Sequence, residues 1–247
     1  MGFRTFFSTL GANAPQVETV LDTDSLRPGD RLTATVTAQG GGADVQVEGL
    51  TIELVTRVEQ NEAGSEVGWS NPGVVASFSF PGFSLPQDGT VVQKVACDLP
   101  WETPITHVSG RPLRGARAAV RTVLEIEGAV DRGDFDEIAV HALPAQSAFV
   151  EGLTGLGFRL DEAEVKLGRV NGGTNQTLDH WQELEAFFPA DYNLPPRAHL
   201  EIVFIARPDS LDLITGSLGP FPFDYADVDV PTAARWLDQH LRSNFQR

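Results

Sequence analysis

At 247 residues, with 41% apolar and 21% charged side chains and with 24 Gly and 16 Pro as punctuation, the chain is globular in composition. It is long enough for one large domain or two of about 100–140 residues. A net charge of −16, −9 over residues 1–142 and −7 over 143–247, repels phosphate backbones and excludes general nucleic-acid binding.

Phe3, Phe6, Phe7 and Leu10 recur at the spacing of one helical face, and Gly11 supplies a stop. This short helix caps a sandwich or lies on a membrane through three rings. Arg4 is its only positive charge, so packing on the protein is favoured. The same opening lacks the apolar core of a signal peptide, and no run of 18 apolar residues occurs in the sequence. Cys97 is the single cysteine, which rules out an internal disulfide and leaves a small core residue as its expected role. The expected location is the cytoplasm.

From Val17 the apolar period becomes two. Residues 17–22 and 32–38 are expected strands around the turn LRPGD. Residues 45–59, VQVEGLTIELVTRVE, form a longer strand with Gly49 as a bulge. A polar loop over residues 61–73 carries Trp69, which either folds back or stands at a binding surface. Residues 74–80 and 90–99 alternate again. Pro100 and Pro104 then bar regular central pairing of LPWETP, so this segment must cross between layers or follow an edge, with Trp101 filling the crossing. Glu102 and Thr103 read as turn hydrogen-bonders.

The stretch CDLPWETPIT at residues 97–106 resembles the Leu-Pro-x-x-Thr-Pro-Ile-Thr block of the bacterial sporulation-control protein family. Other blocks agree in order: the Phe-rich opening, VETVLD, RPGD, GLTIELVTRVE, VRTVLEIEGAVDRGDFDEIAV, GLGFRLDEAEVKLG and LEIVFIARPDSLDL. The similarity runs from Gly2 to about Leu213, while residues 168–180 and 216–247 match nothing in the family pattern. The resemblance implies an arrestin-like fold of two β-sandwiches in tandem, no cofactor, and action through protein contacts in cell-cycle and sporulation control.

Between Thr103 and Leu124 there is no acid, yet Arg111, Arg114, Arg117 and Arg121 all fall there. They either pair with the surrounding excess of carboxylates or form a docking patch for an acidic or phosphorylated partner. Residues 117–128 and 135–143 close the first half. Asp131, Asp134 and Asp136 between them lack the spacing and the glycine of a calcium loop, so a solvated hairpin is expected and no metal.

The stretch HALPAQSAF at residues 141–149 reads as the hinge between two bodies, because Pro144 cannot continue a central strand. A short helix or a crossing follows over 146–156. Strands are expected at 158–167, 183–188 and 199–206, with VNGGTNQT as a tip loop. The five histidines show no ligand spacing. After the extended stretch GPFPFDYADVDV, Pro231 opens a C-terminal helix with Ala234, Leu237, Leu241 and Phe245 as its apolar stripe.

The expected fold is therefore all-β: two tandem arrestin-like (immunoglobulin-like) β-sandwich domains, 1–142 and 143–247, with short N- and C-terminal helices. The expected function is a non-enzymatic adaptor without cofactor or metal. It binds protein partners through sheet edges, the inter-domain groove and loops, with self-association through an edge or the C-terminal helix as an alternative use of its surface. Its docking residues are Arg111, Arg114, Arg117, Arg121, Phe3, Phe6, Phe7 and Trp69. The alternatives are a hydrolase or carbohydrate-binding module, against which no Ser-His-Asp order, GxSxG or carboxylate pair stands out, and a peripheral membrane adaptor through the N-terminal rings.

Overall fold

A computed structural model describes residues 14–58, 72–127 and 132–246. The expected N-terminal helix with Phe3, Phe6 and Phe7, the loop residue Trp69, and Asp131 lie outside these residues.

The first half contains β1 (Gln16–Leu21), β2 (Ser25–Leu26), β3 (Arg31–Gln39), β4 (Val45–Thr56), β5 (Gly73–Leu85), β6 (Thr90–Asp98), β7 (His107–Val108), β8 (Arg111–Pro112), β9 (Ala118–Ile126) and β10 (Arg132–Val140). A three-stranded sheet, β1-β3-β6, faces a five-stranded sheet, β2-β10-β9-β4-β5, and β7-β8 form a small ribbon. The period-two pattern explains the layering. Leu32, Ala34, Val36 and Ala38 of β3 point inward with Val95 and Cys97 of β6, and they meet Leu50, Ile52, Leu54, Val120 and Leu124 from the other sheet. Cys97 is a buried core residue, and burial pushes its thiol up to about 11. The expected bulge at Gly49 is present as a register shift between Val47 and Gly49 against β9.

The second half begins with α1 (Pro144–Gly155) and continues through β11 (Arg159–Leu167), β12 (His180–Phe187), β13 (His199–Ala206), β14 (Ser210–Thr215) and β15 (Leu218–Asp224) to α2 (Val230–Phe245). The five strands form one antiparallel sheet in sequence order. Its second layer is helical. Phe149 of α1 is fully buried and meets Phe204, Phe223 and Trp236 at ring-centroid distances of 6.1, 4.8 and 6.4 Å. Two short helices thus do the covering that a facing sheet does in the first half. On α2, Ala233 takes the buried position read as Ala234, beside Leu237 and Leu241.

The stretch expected as a hinge is not an exposed linker. Pro144 occupies the first helical turn, where its missing N–H costs nothing, and the Gln146 side chain accepts from Leu143 N–H at 2.9 Å. Ala142, Leu143, Ala145, Gln146, Ala148 and Phe149 are all buried. One contiguous apolar cluster runs from the first-half sandwich through α1 into the second sheet.

The loop over residues 170–177, read as a tip, lies back on the sheet. Val170 and Trp181 cover Val203, Ile205 and Ile214. Gln176 is buried and donates to the carbonyls of Gly168, Leu178 and His180 while accepting from Val170 N–H. Asn175 and a two-pronged Arg207 reach Asp212 at 2.7, 2.8 and 3.0 Å. Burial works against that carboxylate, but these hydrogen bonds win and hold it below the usual range.

Candidate functional site

The LPWETPIT block is the seam between the halves. Its prolines keep it out of both sheets, so its backbone groups need partners elsewhere, and the second half supplies them. Gln182 of β12 accepts from Ile105 N–H at 2.9 Å and donates to Ile105 C=O at 2.8 Å. Glu102 accepts from the N–H and hydroxyl of Thr177 at 2.8 and 2.6 Å and from Leu178 N–H at 3.3 Å. On its own side the block is fixed by Thr103 Oγ1 donating to Pro100 C=O at 2.6 Å and by Thr106 N–H donating to Val140 C=O at 2.7 Å. Trp101 lies across Gly29 of the RPGD turn, where a Cβ would sit 2.7 Å from the indole and where φ is +83°. Glu102 and Thr103 are hydrogen-bonders, as read from the sequence. That Glu102 bonds across to the other half was not legible there.

Under the block lies a cavity of about 20 Å³, room for one water. Trp101, Gln146, His180, Trp181 and Gln182 line it. His180 is 5% exposed, and its Nε2 has no hydrogen-bond partner among the described residues. Burial lowers its pKa, with Glu102 and Asp179 pulling the other way, so the ring is neutral at pH 7.

A charged clasp closes a second part of the seam. β11 breaks register between Leu160 and Ala163, and this irregularity presents Asp161 and Glu162 to the first half. Arg114 reaches them at 2.7 and 3.2 Å, and Arg57 reaches Glu162 at 3.6 Å. Ala163 N–H donates to Arg114 C=O at 2.8 Å. Gly115, at φ +85°, lets the chains approach: a Cβ there would lie 2.7 Å from Ala163 C=O.

The four arginines read as one patch are thereby divided. Arg114 belongs to the clasp, Arg117 pairs with Glu137, and Arg121 of β9 meets Glu53 of β4 at 2.5 Å. Arg111 is exposed in the ribbon, with no ion pair among the described residues. Asp134 and Asp136 lie on β10 beside β1 and are half-buried, not solvated as expected. Asp134 accepts from Thr19 N–H at 2.6 Å, and Asp136 is pushed up to about 6 by burial, then by Asp134 and Glu18. The carboxylates of Glu164, Glu183 and Glu185 lie within 4.8 Å of one another and form a geometric metal candidate. Lys166 already contacts Glu183 and lies 3.8 Å from Glu164, so an ammonium fills the cation's role. Arg57, Glu162 and Gln182 were not legible in the sequence because only contacts distant along the chain give them work, and Gln176 was not because its partners converge only when its own loop folds.

No helix among the described residues is long and apolar enough to cross a membrane. The chain is 29% identical over 216 residues, 86% of its length and 78% of the relative's, to the sporulation-control protein spo0M of Bacillus subtilis. The crystal structure of Spo0M from Bacillus subtilis superposes with a TM-score of 0.77 at 24% identity, covering 93% of this chain and 98% of that one. The family model described as SpoOM protein matches residues 3–216, which takes in the first half, the seam and the second half as far as β14, and the chain belongs to that family.

Proposed function

We propose that this chain is a non-enzymatic, arrestin-like regulatory adaptor that acts in sporulation control through protein–protein contacts in the cytoplasm. The observation that carries the reading is the family match across both halves, joined to a relative named for sporulation control. The seam adds support, because its polar side chains are committed to holding one half on the other. Glu102, Gln182, Arg114 and Arg57 spend their hydrogen bonds on the protein itself. Partner contacts then fall to the outer surfaces: the sheet edges and Arg111, whose guanidinium suits a carboxylate or phosphate.

The test is capture from native lysate with gentle crosslinking, washed at low and high salt, using the full chain and an Arg111→Glu variant. The expected result is a discrete protein retained by the native chain and weakened by the variant at low salt. Recovery of the bait alone at both salts overturns the adaptor reading. Retention that ignores Arg111 removes that residue from the docking surface.

A further inference from the structure

Three buried side-chain atoms among the described residues lack a hydrogen-bond partner: Asp136 Oδ2, Tyr192 OH and His180 Nε2. Of these, His180 is the one at the seam, lining the cavity under the LPWETPIT block with 5% of its surface exposed. The carboxylate and amide oxygens that share this cavity are already taken. Glu102 accepts from Thr177 and Leu178, Gln182 from Ile105 N–H, and Gln146 from Leu143 N–H. Trp101 and Trp181 bring indoles, which donate and do not accept. About 20 Å³, room for one water, suits a neutral ring and falls far short of the hydration that an imidazolium loses on burial.

The charges around the ring do not make up the deficit. Glu102 from the block and Asp179 from its own loop favour the protonated form, and burial outweighs both. Asp179 lies 4.0 Å from Arg169, and Lys166 of the neighbouring β11 is drawn to Glu183 and Glu164. Gln146 of α1 and Phe204 and Ile205 of β13 carry no charge. The ring is also tied to the clamp across the seam. Glu102 grips Thr177 and Leu178 just before His180 in the chain, and Gln176 donates to His180 C=O at 3.0 Å. A displacement of the ring therefore pulls on the residues that Glu102 holds.

We propose that His180 is an acid-triggered latch: when its ring takes up a proton, residues 176–180 and the LPWETPIT block part, and the seam opens locally while both halves stay folded. Glu102 then lets go of Thr177 and Leu178, and Gln182 lets go of Ile105. The apolar cluster through α1 and the Arg114 clasp keep the halves joined elsewhere. Opening uncovers the backbone of a segment that no sheet uses, so acid pH exposes a surface that neutral pH hides. The latch goes beyond the adaptor reading and does not rest on it.

The experiment is amide hydrogen exchange of the full chain from pH 7.5 to pH 5.5, read as protection factors, in the native chain and in His180→Gln. The reporters are the amides of Ile105, Thr177 and Leu178, with the β3–β6 and β13–β14 ladders as references. The native reporters are expected to lose about tenfold in protection across this range, because the exposed ring gains its proton near 6.5 and the buried one lower. The ladders and the variant's reporters are expected to stay level. Asp136 also titrates near 6, but the variant leaves it in place, so a loss that His180→Gln abolishes is not its doing. Reporters protected equally at both ends of the range, a loss that persists in the variant, or a loss shared by the ladders each overturns the latch. If the variant does not fold, the native ring decides by its own NMR titration: the loss of protection must level off at the ring's midpoint, and a loss that levels off elsewhere overturns the latch. Partner capture is read separately, so failure here leaves the adaptor reading to its own test.

Discussion

Two irregular demands of the first half are met in opposite ways. The LPWETPIT block leaves the sheets and has its backbone caught by Gln182 and Glu102 with its contacts in the second half. β5 stays in its sheet with β4 as its only ladder partner among the described residues. Both present unpaired peptide groups, but the seam is buried and an orphan there costs about 1–3 kcal/mol, whereas the edge can bond to water until a strand arrives. Satisfaction inside the chain fixes the two halves to each other.

That contrast predicts a graded series. Gln182→Leu strips Ile105 of both partners inside the seam and is expected to destabilise by about 2–4 kcal/mol, read in urea unfolding. An unchanged midpoint would mean that the seam is wet and not a joint. Gly115→Ala forces a side chain into a left-handed conformation against Ala163 C=O and is expected to cost about 1–3 kcal/mol by the same assay. Arg114→Gln opens the exposed side of the clasp and should cost no more than about 1 kcal/mol, shrinking further at high salt.

Proton linkage sharpens the same division with a smaller, directional effect. Asp136 has its folded pKa raised from 3.8 to about 6, so its contribution is fully present below the unfolded pKa and falls as pH rises from about 4 to about 6. Asp136→Asn should therefore gain stability over the native chain at pH 7.5 and lose that advantage at pH 4. His180 has the opposite slope. Its folded pKa is lowered, so stability falls as pH drops below the ordinary value of 6.5, and His180→Gln should flatten that fall. Thermal melts across pH for both variants check the two signs, and a slope unchanged in either would refute its assignment.

Much of the strand pattern was legible because alternation is local. The period-two runs in residues 17–22, 32–38 and 90–99 correspond to β1, β3 and β6 within about two residues at each end. β14 was missed because SLDLIT is buried on both faces and shows no alternation. Pro144 read as ending strand structure, and β10 does stop at Val140; the helix read as one option from Gln146 begins two residues earlier, at Pro144 itself. Tip-loop polarity in VNGGTNQT concealed a buried plug, because Gln176 is satisfied only by carbonyls that come together in the folded loop.

The sequence by itself determined the alternating strands of the first half, their core faces, the C-terminal helix and the departure of LPWETP from any sheet, but not that helices in place of a second sheet cover the second half. These follow from backbone dihedral limits and from burial patterns a few residues long. Tertiary structure alone decided which half catches that block, which arginines are already paired, and which edge stays open. Those outcomes depend on groups 47 to 77 positions apart meeting within about 3 Å, and no local pattern encodes such a meeting.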